Sequence, residues 1–223
     1  MTSAEAERRP LEPVFRQSTA AMVADRVRDA IERGDLPPGS QLGEADLARQ
    51  LGVSRGPLRE GLQRLTQEGL LLSIRNRGLF VIEMTPERVR DMYVARQAVE
   101  RAAAEQIHRG DAQEAGAALM EITDAMSATA EADDPTGVGA ADIEFHDLLV
   151  RLAGSPRLSR MHRTLLTETR MGIHALDPTY EGDEVRVAEH RAIAQSFIDG
   201  DPAETDRLLQ LHMADAVERL TAR

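Results

Sequence analysis

From Thr85 onward every apolar pattern in this chain repeats at helical spacing, and the breaks between patterns are helix ends. Thr85-Pro86-Glu87 supplies an N-cap, a proline at the first helical position and an acid in the first turn. Gly154-Ser155-Pro156 and Gly200-Asp201-Pro202 each place a glycine after one helix and a cap and proline at the start of the next. The spacing predicts helices over 86–109, 111–131, 139–153, 156–174, 183–199 and 202–221, with loops at 133–139 and 177–183. Six consecutive helices with no strand between them can bury their apolar faces only against each other, so residues 85–223 are expected to form an all-α antiparallel bundle. Aromatic residues make up only 3% of the chain, so its cores must be built from Leu, Val, Ile, Ala and Met.

The part before Thr85 is patterned differently. Gln17 to Arg33 is an amphipathic helix with Met22, Val23, Val27 and Ile31 on one face. The turn cluster Asp35-Leu36-Pro37-Pro38-Gly39 follows, then a short helix from Glu44 to Gln50. Gly52-Val53 makes a tight turn, and Ser54 has the chemistry of an N-cap for a helix that runs to Glu68. Leu70–Ile74 and Leu79–Met84 are β-prone runs joined by Arg75-Asn76-Arg77-Gly78. The expected fold is mainly α: a winged helix-turn-helix of three helices and a β-hairpin over 15–84, then the bundle over 85–223. Residues 1–14 are polar and read as a disordered tail.

Composition narrows the function. There is no cysteine, which removes disulfides, thiolate metal sites and cysteine nucleophiles together. No apolar run approaches the roughly 20 residues that span a bilayer, and the N-terminal stretch lacks the apolar core of a signal peptide. A cytoplasmic protein without a membrane partner is expected. Net charge is −11, yet residues 1–84 hold 12 Arg and 12 acids, so the whole excess lies in the bundle. Within 49–77 six arginines face two glutamates. A basic patch on a neutral unit, joined to an acidic one, fits a DNA reader and a regulatory module.

The DNA reading rests on Leu47 to Glu60, a helix-turn-helix. Its second helix aims Leu58, Leu62 and Leu65 inward and leaves Arg55, Arg59 and Gln63, four apart, as one outward stripe. Arginine pairs bidentately with guanine O6 and N7 in the major groove. Pro57 lies in the first turn, where its missing N–H is harmless and the free N–H groups can meet a phosphate. Gly78 at the tip of the wing lets backbone approach the duplex. The competing reading is a merely solvated arginine face, or a winged helix used for protein contacts.

Residues 34–82, from Gly34-Asp35-Leu36-Pro37-Pro38-Gly39 through Leu51-Gly52-Val53-Ser54-Arg55-Gly56-Pro57-Leu58-Arg59-Glu60 to Arg77-Gly78, resemble the winged helix of the GntR regulators. The all-helical partner resembles the FCD effector domain of the FadR-like branch. That resemblance implies that Arg55 and Arg59 contact bases or phosphates, that Gly78 approaches the minor groove, and that Arg49 is a less constant contact. Some members have an arginine where this chain has Ala45. The candidate DNA contacts are Arg49, Ser54, Arg55, Gly56, Arg59, Arg77 and Gly78, read by a homodimer on a palindromic operator of double-stranded DNA.

In the bundle, Asp142 and His146 are one helical turn apart on a shared face. His190 is flanked at helical spacing by Val187, Ala194 and Phe197, and His212 by Leu208, Leu209 and Ala216, so both point inward. One carboxylate and three imidazoles suit zinc, with nickel or manganese as alternatives. Each histidine taken singly is equally readable as a hydrogen-bonded core residue. The FCD pattern, D-x-x-x-H, then E-H, then H, is matched by all four positions. Arg96 interrupts the apolar stripe Val89, Met92, Val99, Ala103 and needs an anion: either Glu100 one turn on, or, as the FCD resemblance implies, an effector carboxylate. Arg170 is a second effector candidate. His162, between Arg160 and Arg163, is expected on the surface, and His174 at a helix C-terminus. The expected function is a DNA-binding regulator controlled by a small organic acid at a metal-containing pocket. A metal-dependent hydrolase and a regulator that senses the metal itself are the rivals.

Overall fold

The computed structural model describes residues 18–176 and 182–221, without side chains for 174–176. The first helix, α1 (Thr19–Glu32), begins where Ser18 Oγ accepts from the Ala21 N–H at 3.1 Å, and it buries Val23, Ala24, Val27 and Ile31. A short α2 (Glu44–Leu51) and α3 (Arg55–Gln67) follow, and Leu58, Leu62 and Leu65 of α3 are fully buried. Between α1 and α3 the backbones come unusually close. A Cβ on Gly61 would lie 2.7 Å from Val23 Cγ1 and 2.8 Å from the Ala20 carbonyl oxygen.

The wing carries one strand more than the expected hairpin. β1 (Gln41–Leu42), β2 (Leu71–Ile74) and β3 (Gly78–Val81) form an antiparallel sheet in the order β1-β3-β2, with Gln41 opposite Phe80 and Leu71 opposite Val81. Two residues are too few to carry a period, so β1 is absent from the sequence pattern. Its Gln41 side chain nonetheless works at the wing: Nε2 donates to the Arg77 carbonyl at 2.5 Å, where Gly78 turns the chain at φ +99°.

The bundle comprises α4 (Pro86–His108), α5 (Ala112–Glu131), α6 (Pro135–Leu152), α7 (Pro156–Leu176), α8 (Asp183–Ile198) and α9 (Pro202–Thr221). Helix α6 starts four residues before the expected 139. Asp134 accepts from the Gly137 N–H at 3.0 Å and Pro135 opens the helix, a start signal masked by the glycines at 137 and 139. Phe145, Leu149, Phe197 and Leu209 center the core deep in the bundle. A second apolar cluster is shared between the two parts. It runs from Val23, Leu58 and Leu62 through Met84, Val89 and Met92 to Met171, Met213 and Leu220. The expected tail over 1–14 and most of the loop at 177–183 lie outside the described residues, as does the side chain of His174.

Candidate nucleic-acid interface and metal centre

Ser54, Arg55, Gly56, Arg59 and Gln63 are all exposed, the last four along one side of α3. Ser54 occupies the N-cap position with extended backbone, but its hydroxyl caps no helix N–H. Arg59 Nε donates to Glu44 Oε2 at 2.9 Å, so the start of α2 holds one guanidinium of the stripe. Arg49 is paired with Asp46 on its own helix. On the wing, Arg77 and Gly78 are exposed, and the Arg77 guanidinium lies 5.4 Å from the center of the Phe80 ring.

In the bundle, Asp142 and His146 on α6, His190 on α8 and His212 on α9 offer ligand atoms that all lie within 4.8 Å of one another. His146 Nε2 is 3.0 Å from His212 Nε2 and 3.3 Å from His190 Nε2, and Asp142 Oδ1 is 3.3 Å from His190 Nε2. The three Nδ1 atoms decide the tautomers. His146 Nδ1 faces Glu100 Oε2 at 2.7 Å, His190 Nδ1 faces the Arg186 carbonyl at 2.8 Å, and His212 Nδ1 faces Glu189 Oε2 at 3.0 Å. An ionised carboxylate and a carbonyl only accept, so each Nδ1 carries the proton and donates. In neutral rings this leaves three bare Nε2 lone pairs converging on one point.

Electrostatics keeps the Nε2 atoms of His146 and His190 bare. Burial, then the nearby Arg96 charge, pushes His146 down to about 4, and burial, then His212, pushes His190 down to about 3. Burial also opposes the Asp142 carboxylate, but its pKa is held below the usual range, with the charged Arg96 among the groups that favour the ionised form. Three imidazole lone pairs and one carboxylate, with no donor among them, form the donor set of a divalent cation of the zinc type. The residues present therefore fit such an ion.

Arg96 is buried beside this cluster. Its Nε donates to Glu100 Oε1 at 2.6 Å, so the partner one turn away does satisfy one side of the guanidinium. Nη1 lies 3.5 Å from both Tyr93 Oη and Thr169 Oγ1, and the buried Nη2 has no hydrogen-bond partner among the described residues. Arg96, Asp142, His212, Arg186 and Arg219 line a cavity of about 20 Å³. That is room for roughly one water. Burial works against the Arg96 charge, but Glu100 and its neighbours more than offset this and raise its pKa. A larger open groove of about 680 Å³ beside Ala102, Pro156 and Leu158 holds no comparable cluster.

Two expected placements are corrected. His162 is not on the surface. It is buried and its Nε2 donates to Glu100 Oε1 at 2.9 Å. The spacing Leu158, His162, Leu165, Thr169 would have revealed an inward position, whereas the flanking arginines suggested the opposite. Arg170 does not line the cavity by Arg96. Its Nη1 donates to Glu32 Oε2 at 2.6 Å, across the junction with α1. The sequence reading also missed Glu100 and Glu189 as the carboxylates that hold His146 and His212.

A winged helix with an exposed arginine stripe, joined to a helical bundle built around a ligand-capable core, defines a DNA-binding transcription regulator. Comparisons agree. Residues 19–81 match the model of bacterial regulatory proteins of the gntR family, and residues 91–215 match the FCD domain. The chain belongs to the GntR family and carries an FCD domain in its C-terminal part. A helix-turn-helix regulator from the TAR-I region of Agrobacterium vitis is 38% identical over 130 residues, 57% of this chain and 76% of that protein. The "Probable D-xylose utilization operon transcriptional repressor" of Paenarthrobacter nicotinovorans is 30% identical, covering 92% of this chain and 91% of the relative. A GntR transcriptional regulator from Rhodococcus sp. RHA1 superposes with a TM-score of 0.75 at 29% identity, over 92% of this chain and 99% of that one. The fold is therefore the winged helix-turn-helix plus helical bundle expected, and the chain is a regulator rather than a hydrolase. Among the described residues no helix is long and apolar enough to cross a membrane.

Proposed function

We propose that this regulator binds a palindromic operator as a homodimer and that a small carboxylate metabolite, held at a metal-containing pocket in the bundle, sets its operator affinity. Arg55 and Arg59 would read base edges from α3. Ser54 and Gly56 at the start of that helix, with Arg49, would meet backbone phosphates, and Arg77 and Gly78 would bring the wing to the minor groove. One winged helix makes a small interface, so two heads are needed for tight specific binding.

The observation that carries the sensor reading is the trio of converging Nε2 atoms, each with its Nδ1 proton committed elsewhere. Asp142, His146, His190 and His212 would hold the cation, zinc by preference, with nickel or manganese as alternatives. When bound, the ion supplies positive charge and open coordination positions for a carboxylate. Arg96 Nη2, buried without a partner at the same cavity, supplies the donor for an anionic group. The relative named for D-xylose utilization is in keeping with control by a small metabolite of a catabolic operon.

Coupling to DNA follows from packing. Tyr93, Leu220, Ile173 and Ala216 line the cavity and also belong to the apolar cluster shared with α1 and α3. The cavity is smaller than any organic acid, so a bound effector must displace those walls. A ligand changes operator affinity only if it prefers one arrangement of the two heads.

The test is to quantify metal in the purified protein and then measure operator affinity against a panel of small carboxylic acids. Metal near one per chain, retained on dialysis, with at least one acid changing affinity several-fold, supports the reading. Loss of metal on dialysis, with operator affinity following metal alone, would favour a sensor of the metal itself.

A further inference from the structure

Glu100 lies directly behind the cation site proposed above, and its role rests on that site. Among the residues holding the three ligand imidazoles, Glu100 is the one fully buried carboxylate. His190 is held by a backbone carbonyl, and His212 by Glu189, which is partly exposed and shared with Arg219. Glu100 accepts from three side chains on three helices. Arg96 Nε on α4 and His162 Nε2 on α7 meet Oε1 at 2.6 and 2.9 Å, while His146 Nδ1 on α6 meets Oε2 at 2.7 Å.

We propose that Glu100 and His162 are positioning residues that set how tightly the Asp142–His146–His190–His212 cluster holds its cation. Glu100 fixes the tautomer and ring direction of His146 and makes its Nε2 a stronger donor. His162 holds Glu100 in the rotamer that does this. The chemistry of His162 supports the role. It is buried with one hydrogen bond, and its Nδ1 has no partner among the described residues. Burying an imidazole with one nitrogen unsatisfied is unfavourable. The single bond it makes is to the carboxylate oxygen that Arg96 also uses. Without it, Glu100 keeps only its helix neighbour Arg96 as a restraint on Oε1. The carboxylate that orients His146 is then held by two bonds instead of three.

Zinc affinity of the full-length protein, read by competition with a chromophoric chelator, tests this for wild type, His162→Ala, His162→Gln and Glu100→Gln. The expected result is a loss of about ten- to a hundredfold for His162→Ala and Glu100→Gln. His162→Gln keeps a donor toward Glu100 and should stay within about threefold of wild type, a rescue that a merely space-filling role would not produce. Cobalt(II)-loaded Glu100→Gln should also show a shifted visible spectrum, because the His146 donor has changed. Glu100→Gln leaves Arg96 buried without its anion, so Arg96→Met/Glu100→Gln serves as the companion if the single variant does not fold. The His162 variants keep the Arg96–Glu100 pair intact. Equal zinc affinity in wild type, His162→Ala and Glu100→Gln would overturn the assignment of these two residues while leaving the cluster as a cation site. Failure of the wild type itself to bind zinc or cobalt would overturn the cluster reading and this inference together.

Discussion

Glu32, at the end of α1, accepts a hydrogen bond from Arg170 Nη1 on α7 at 2.6 Å, and its other oxygen accepts one from Thr167 Oγ1 at 2.6 Å. A second side of α7 carries His162 and Thr169, which reach Glu100 and Arg96. One helix therefore touches both the DNA-reading head and the surroundings of the histidine cluster. Glu32→Gln is expected to lower the unfolding free energy by about 1–2 kcal/mol, the scale of a partly buried charged hydrogen bond. It should also shrink the difference in operator affinity between metal-loaded and metal-stripped protein. An unchanged difference would mean that head and bundle communicate by another route.

Arg55 and Arg59 stand exposed on α3 with no role in the core. Replacing both by Ala should abolish operator binding in a mobility-shift assay while leaving helicity and metal content at wild-type values. Either single change should cost about 1–3 kcal/mol of discrimination if the contact is bidentate to a guanine. Survival of operator affinity in the double variant would rule out α3 as the reading helix.

Glu44 gives a sharper test of the same face. Removing a negative charge beside DNA should strengthen binding by simple electrostatics. If the 2.9 Å contact from Arg59 instead orients the guanidinium for a base, Glu44→Gln should weaken binding to the operator and not to random duplex. Parallel titrations of the two DNAs distinguish the outcomes.

Gly61 allows the close approach of α1 and α3. A methyl there would meet Val23 Cγ1 at 2.7 Å and the Ala20 carbonyl at 2.8 Å, and the latter is backbone that cannot swing aside. Despite the higher helix propensity of alanine, Gly61→Ala should destabilise the protein by about 1–3 kcal/mol through overpacking. Chemical denaturation would reveal it as a lower midpoint with an unchanged slope.

The buried imidazoles should make the metal-free protein acid-sensitive. His146 at about 4 and His190 at about 3 lie below the ordinary value of 6.5, so the unfolded chain binds protons more readily than the folded one. Their stabilising contribution is complete above pH 6.5 and is lost as pH falls from there toward 3. Denaturation of chelator-treated protein between pH 7 and 4 should show a decline on the order of a few kcal/mol. His190→Leu should flatten that slope.

Much of this was legible in the sequence, for reasons that particular residues make plain. The helices of the bundle show because their apolar period is long and their ends are marked by Gly154, Pro156, Gly200 and Pro202. Asp142, His146, His190 and His212 show because each sits at an inward helical position, and inward polar residues stand out. What did not show depends on neighbours from other elements. Nothing local tells that His162 meets Glu100 or that Arg170 turns toward Glu32 on α1. Nor does a two-residue strand such as β1 carry a pattern of its own. The apolar cluster that joins α3 to α9 is likewise a tertiary fact, because each helix alone only advertises that it has a face to bury.

The measurement that bears most directly on the account is selection of binding sites by the purified protein from random duplex DNA at physiological salt, with and without zinc. An enriched short palindrome, lost in the Arg55→Ala/Arg59→Ala variant, is the predicted result and would supply the probe for effector screening. No enrichment under either condition would contradict the claim that this chain is a dimeric, sequence-specific reader controlled from its histidine cluster.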